Sequence, residues 1–322
     1  MLASLFALVS LSQSPSTDFV VSTSQFAAHY ATLRHGVVRP SEIDERYRPG
    51  VNILKQIPDR LSVGTGEAAR KVASFWIIDP LVFRCTNLVE MKAFTAQKPA
   101  AANYTNAQGQ PANYLSIALR ALTETEAAHR AVWPGQYNTL KVQVAAWKPY
   151  EKKSEEAFVW VTKALGYAEP PGKVEVVLLP VLGGREAIHT AWGANLRVMV
   201  VADQYVDADL AEVILRETAS ALNAVTPSPF LVELREGLIA AGVLPQVADR
   251  VQRSAFWVLS GHAIRTMAEP GHIDVGENSG YYETANKPYV DAVKGALQYL
   301  PDNRTKAVTE IVSQIKSYEP SL

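Results

Sequence analysis

The sequence predicts an α+β fold, mainly α: a helical region, then a small sheet followed by further helices. Three observations carry this. Apolar residues recur at helical spacing through most of residues 20–168. The character changes at "AEPPGK", after which "KVEVVLLPVL" has the β-branched content of a strand. Next, "REAIHTAW", "GAN" and "LRVMVVA" read as a hairpin, with Gly193 and Asn195 in its turn. The predicted division is 1–12 as a signal peptide, 20–168 as the helical region and 172–322 as sheet and later helices.

The N-terminus, "MLASLFALVSLSQ", carries an apolar run from Leu2 to Leu11, too short to span a bilayer. Small residues Ser10 and Ser12 stand where a signal peptide is cleaved, so export to the periplasm or medium is expected, although no Lys or Arg precedes the run. Residues 13 to about 20 read as an exposed leader. Helical spacing then runs from Ser22 to about Leu61, broken at Pro40, and "EAARKVASFWIIDPLVFRCTNLVEMKAF" predicts a buried helical hairpin around Pro80. "QKPAAANYTNAQGQPAN" is a loop by composition. "YLSIALRALTETEAAHRAV" is helical, with "WPGQYN" expected to stop it. "SEEAFVWVTKALG" has Ser154 as a candidate N-cap and Gly166 at its end.

After the hairpin, Asp209 and Glu212 are spaced as a capping box for an amphipathic helix. Leu210, Val213, Ile214, Leu215 and Leu222 supply its apolar face. "TPSP" ends it, and "FLVELREGLIAAGV" is the next helix. "DRVQRSAFWVLSGHAIRTMA" and "PYVDAVKGALQYL" through "IVSQIKSY" are further helices.

Composition narrows the classes of function. Hydrophobic residues make up 48% of the 322, enough for a sizeable core. With 31 basic and 32 acidic residues the formal charge is −1, so neither a nucleic-acid surface nor a polybasic membrane patch is expected. A single cysteine, Cys85, excludes an intrachain disulfide and reads as a small buried hydrophobe.

A strand hairpin, a capped helix with the charged centre Arg216-Glu217, a short loop and a helix carrying "REGLIAA" come in an order that resembles the catalytic half of the gluzincin zinc metallopeptidases. In that family the first helix carries H-E-x-x-H, whose histidines one turn apart hold zinc while the Glu activates water. The resemblance implies Glu217 at the general-base position and Glu236 at the third-ligand position, with Arg216 and Ser220 replacing the two histidines. It also implies an edge strand for extended peptide, expected at "NLRVMVVAD". The substitution decides the chemistry. A serine hydroxyl is a poor zinc ligand, and a divalent ion about 4 Å from a guanidinium, at an effective dielectric of about 20, is disfavoured by roughly 8 kcal/mol. No zinc or other cofactor is expected there. A direct Arg216–Glu236 salt bridge is expected in its place, with Ser220 hydrogen-bonded beside it.

Three functions stay open. The first is a non-catalytic exported protein with a metallopeptidase-like fold, binding a peptide or protein segment in the former cleft. The second is a hydrolase with an unusual or absent metal, using Glu217 as base and Tyr281 or Tyr282 of "NSGYYETANKPY" as oxyanion partner. The third is a helical interaction protein unrelated to peptidases. Among the six histidines no two are spaced i, i+4; His189, in the hairpin, is the candidate for an alternative site with Glu217 and Glu236. Oligomeric state is left open.

Overall fold

A computed structural model describes residues 17–63, 70–97, 103–105, 111–183, 185–192, 195–202, 204–205 and 207–318. The expected signal segment, the tip of "GAN" and the glycines of "SVGTGEAARK" lie outside the described residues.

The chain opens with strand β1 (Asp18–Thr23), helix α1 (Gln25–Val38) and helix α2 (Arg48–Leu54). A small hairpin follows, β2 (Arg60–Val63) with β3 (Arg70–Ala73), then α3 (Ser74–Val82) and α4 (Leu88–Ala96). A second small hairpin, β4 (Asn103–Thr105) with β5 (Pro111–Asn113), leads into α5 (Tyr114–Trp147) and α6 (Glu151–Ala164). The central strands are β6 (Lys173–Leu179), β7 (Ala187–Trp192) and β8 (Asn195–Val201). Six helices complete the fold: α7 (Asp207–Val225), α8 (Pro229–Ala240), α9 (Pro245–Ala263), the single turn α10 (Val275–Asn278), α11 (Lys287–Ala296) and α12 (Arg304–Tyr318). The architecture is α+β, dominated by helix, around a mixed four-stranded sheet.

That sheet has the order β1-β6-β8-β7. β1, β6 and β8 run parallel, and β7 is an antiparallel edge strand folded back on β8. Alternation along the strands sends side chains to two cores. Val174, Val176, Leu178, Leu196, Val198 and Val200 enter the core built by α6, α7 and the later helices. Val177, Leu179, Ile188, Met199 and Val201 enter the core built by α1, α2, α3 and the first half of α5.

Several expectations are corrected here. The region 20–168 is not purely helical, because β1 and two hairpins lie in or at its start. The two regions share a core: Leu140, Trp147 and Phe158 pack in one cluster with Val174 and Ile214, and Phe19 joins them. β1 pairs along its whole length with β6, from Asp18 against Lys173 to Thr23 against Leu178. The break near Pro80 falls after α3 rather than at the proline, and Asn87 then caps α4 by accepting from the Glu90 amide. "WPGQYN" does not stop α5, which carries Pro134 within it and ties its first half to one core and Leu140 and Trp147 to the other. Packing at both ends outweighs one helix-breaking residue.

Ser154 is buried inside α6 rather than capping it. Gly166 does end that helix, at φ +86°, with the Tyr167 amide bonded back to the Thr162 carbonyl. Glu212 is no capping residue. Its carboxylate is fully buried and accepts from the Val275 amide and from His272. The expected exposed strand "NLRVMVVAD" is β8, covered on both sides by β6 and β7. It has no free edge; the edge strands of the sheet are β1 and β7.

Candidate functional site

A cleft of about 630 Å³ lies along the β7 edge, between α3 on one side and α7 with α9 on the other. Trp76 and Pro80 come from α3, Ala187, Ile188 and His189 from β7, Arg216, Glu217 and Ser220 from α7, and Phe256 and Trp257 from α9. Tyr281 closes one end and stacks on Trp257, ring centroids 4.6 Å apart and 13° from parallel.

The backbone of β7 is oriented for an extended partner. The Val201 amide bonds to the Glu186 carbonyl, which fixes residue 186 as facing β8. Alternation then turns the N–H and C=O of Ala187, His189 and Ala191 away from the sheet. The same alternation puts the His189 side chain on the α7 face, because it sits opposite Val198.

The floor of the cleft is a chain of charges. His189 Nδ1 lies 3.2 Å from Glu217 Oε2. Arg216 Nε donates to Glu217 Oε1 at 3.3 Å, and its Nη2 donates to Glu186 Oε2 at 3.2 Å. The same guanidinium lies 3.7 Å above the Trp257 ring, so its flat face is used as well as its edge. Arg216 is buried, because α7 packs this turn under α9. Burial pushes the Glu217 carboxyl upward. The hydrogen bond from His189 and the charge of Arg216 outweigh it, leaving the carboxyl below its ordinary range.

The structure brings Arg216, Glu217, Ser220, His189 and Tyr281 into one cleft. It does not bring Glu236 or Tyr282 there. Glu236 is exposed on α8, whose buried face is Phe230, Leu231, Leu234 and Leu238. Glu236 stands two residues beyond Leu234 and two before Leu238, which turns it away from the core. The expected Arg216–Glu236 bridge is therefore replaced by pairs with Glu217 and Glu186, and a His189–Glu217–Glu236 metal set is not assembled. Tyr282 is buried, with its hydroxyl 3.4 Å from Asp274. It packs so tightly on Gly276 that a Cβ there would overlap its ring.

Residues that sequence reading passed over flank the cleft. Arg185 lies 4.9 Å over the Trp76 ring and 3.7 Å from the buried Asp79, which also accepts from Tyr30 and Arg34. Arg253 of α9 completes the lining. One group among the described residues has metal-ligating types within reach of a single point: Glu212, His272 and Asp274, whose donor atoms lie within 4.8 Å of one another. It begins one turn before Arg216 on α7 and does not line the cleft. Sequence reading took Glu212 only as a cap, since 60 positions separate it from His272.

No family model, curated protein or solved structure matches this chain. Among the described residues, no helix is long and apolar enough to cross a membrane.

Proposed function

We propose that this protein is a non-catalytic, metallopeptidase-like binding protein whose cleft takes an extended peptide along the β7 edge. The observation that carries the reading is the charge chain itself. A buried guanidinium fills the floor beside Glu217, held by two carboxylates and an aromatic ring. The gluzincin resemblance puts a metal ligand at Arg216, and a cation paired in this way excludes a metal from the same place. The antiparallel edge strand beside the charged helix supports the resemblance too, with β7 in the role first expected of β8.

Glu217 argues for binding over hydrolysis. A general base works best with a pKa near the working pH, whereas this carboxyl lies below its ordinary range and is engaged by Arg216 and His189. The walls suit a peptide: Trp76, Trp257 and Tyr281 offer apolar surface, and the outward amides of β7 offer backbone pairing. Export, expected from the N-terminal run, fits a protein that meets peptides outside the cytoplasm.

A displayed library of random extended peptides, panned on the intact chain, tests the proposal. Ala187→Pro removes one outward N–H from an edge position where proline is tolerated. Peptides selected by the parent should bind this variant at least tenfold more weakly, with its circular dichroism unchanged. Undiminished binding overturns the edge-strand reading. Turnover of a bound peptide that disappears in Glu217→Gln would instead establish the hydrolase.

A further inference from the structure

Glu212, on the buried side of α7, has no exposed surface, and its two oxygens differ in their surroundings. Oε2 accepts from the Val275 amide at 2.9 Å and lies 2.7 Å from His272 Nε2. Oε1 is equally buried and has no hydrogen-bond partner among the described residues. A buried carboxylate oxygen without a donor or cation is costly to keep ionised. Asp274 is also fully buried, and Arg265 Nη1 takes only its Oδ1, at 2.9 Å. Its Oδ2 accepts from the Tyr282 hydroxyl at 3.4 Å. Gly261 makes room for this carboxylate, since a Cβ there would come within 2.5 Å of the Asp274 carboxyl carbon.

We propose that Glu212, His272 and Asp274 form a binding site for a divalent transition-metal ion of the zinc class, separate from the cleft. Each supplies one donor, a carboxylate oxygen from Glu212 and from Asp274 and a ring nitrogen from His272, and these atoms lie within 4.8 Å of one another. One imidazole with two carboxylates is a donor set for zinc and its neighbours, whereas calcium and magnesium favour oxygen alone. Asp209 lies 3.8 Å from His272 Nδ1, on the side away from Glu212, where a carboxylate orients a ligating imidazole.

Charge supports the assignment. Around the point lie three carboxylates, those of Asp209, Glu212 and Asp274, with Arg265 as the one fixed cation in contact among the described residues. Glu277 and Lys294, paired with each other at 2.8 Å, cancel at the periphery. A divalent ion with neutral His272 brings this sum to zero: minus three, plus one, plus two. The ion would join α7 to the 272–275 segment, which also carries the Tyr282 contact.

The test is titration of the intact, chelator-treated chain with zinc chloride and with cobalt chloride, read by calorimetry and by the visible absorption of bound cobalt. One equivalent of either ion should bind, and excess calcium or magnesium should not displace it. His272→Gln should lose the site, Asp209→Asn should weaken it about tenfold, and the cleft variant His189→Ala should keep it. X-ray absorption on the zinc-loaded parent should show one imidazole among oxygen neighbours, which decides the matter even where His272→Gln does not fold. Absence of saturable binding by the folded parent overturns the proposal. So does equal affinity in a folded His272→Gln variant, loss of binding in His189→Ala, or a zinc shell without imidazole.

Discussion

Arg216 touches two carboxylates and an aromatic ring at once, and removing it would leave the largely buried Glu217 with His189 as its hydrogen-bond partner. Breaking a buried pair from one side typically costs about 3–5 kcal/mol. Glu186 is nearly half exposed, so solvent screens that partner, and Arg216→Ala should destabilise by about 2–3 kcal/mol in urea unfolding. The Glu217 carboxyl should titrate higher in the variant, visible by carboxyl NMR; an unmoved titration with unchanged stability would refute the pairing. Asp79 gives a second case, since it accepts from Tyr30 at 2.8 Å and Arg34 at 2.9 Å inside the other core. Asp79→Ala strands Arg34 and should cost about 3–5 kcal/mol by the same measurement. It also frees Arg185, so the cleft wall at Trp76 should loosen with it. Much of this residue-level detail was legible in part. Period 3.6 put Arg216 and Ser220 on one face of α7. The partner was not legible, because which way Glu236 points depends on the roll of α8, and that is set by Phe230, Leu231, Leu234 and Leu238 seeking the core.

At the scale of elements, α1, α2 and α5 close on one another through small residues and paired rings. A Cβ on Gly50 would stand 2.9 Å from the Ala121 carbonyl oxygen and 2.8 Å from a Thr125 methyl. Gly50→Ala should therefore separate α2 from α5 and cost about 1–3 kcal/mol, as overpacking does. Next to this contact His29 and His129 stack, ring centroids 4.4 Å apart and 2° from parallel. His29 meets Thr125 at 2.8 Å, and His129 meets the Tyr47 hydroxyl at 2.8 Å and the Gln25 carbonyl at 3.0 Å. Burial, with His129 nearby, lowers His29 to about 3, and burial lowers His129 to about 4. Both folded values lie below the unfolded value of about 6.5, so the unfolded chain binds these protons first. Their contribution is complete above pH 6.5 and shrinks as pH falls toward 4 and 3. The raised carboxyls of Glu212, Asp209 and Asp274 act in the opposite sense at acid pH, so the pair is isolated by difference. Between pH 6.5 and 5 the parent should lose about 2–3 kcal/mol more than a His29→Gln, His129→Gln double variant. Parallel pH profiles for the two proteins would show that the rings are not held neutral.

At the scale of the molecule, the sheet joins a strand near the start of the chain to three strands from its middle. β6, β7 and β8 were readable from β-branched content and the hairpin, because both signals are local. β1 was not, since "DFVVST" is short and its partner Lys173–Leu179 lies about 150 residues away. Strand pairing at that separation leaves no periodic mark in the sequence. The consequence can be measured. Residues 172–322 expressed alone would expose the β6 edge, where Val174, Val176 and Leu178 pack beside Phe19 in the intact core. They would also lose Trp147, Phe158 and Val161, which cover the same face from α5 and α6. An open edge beside an uncovered apolar face is a site for aggregation. The fragment is therefore expected to lack dispersed methyl resonances and to self-associate, and residues 17–171 supplied in trans are expected to restore the native spectrum. The intact chain should unfold in one transition, with Trp fluorescence and far-ultraviolet circular dichroism coinciding. A soluble, well-dispersed 172–322 fragment, or two separated transitions in the intact chain, would show that the halves fold independently and that β1 merely docks on a finished sheet.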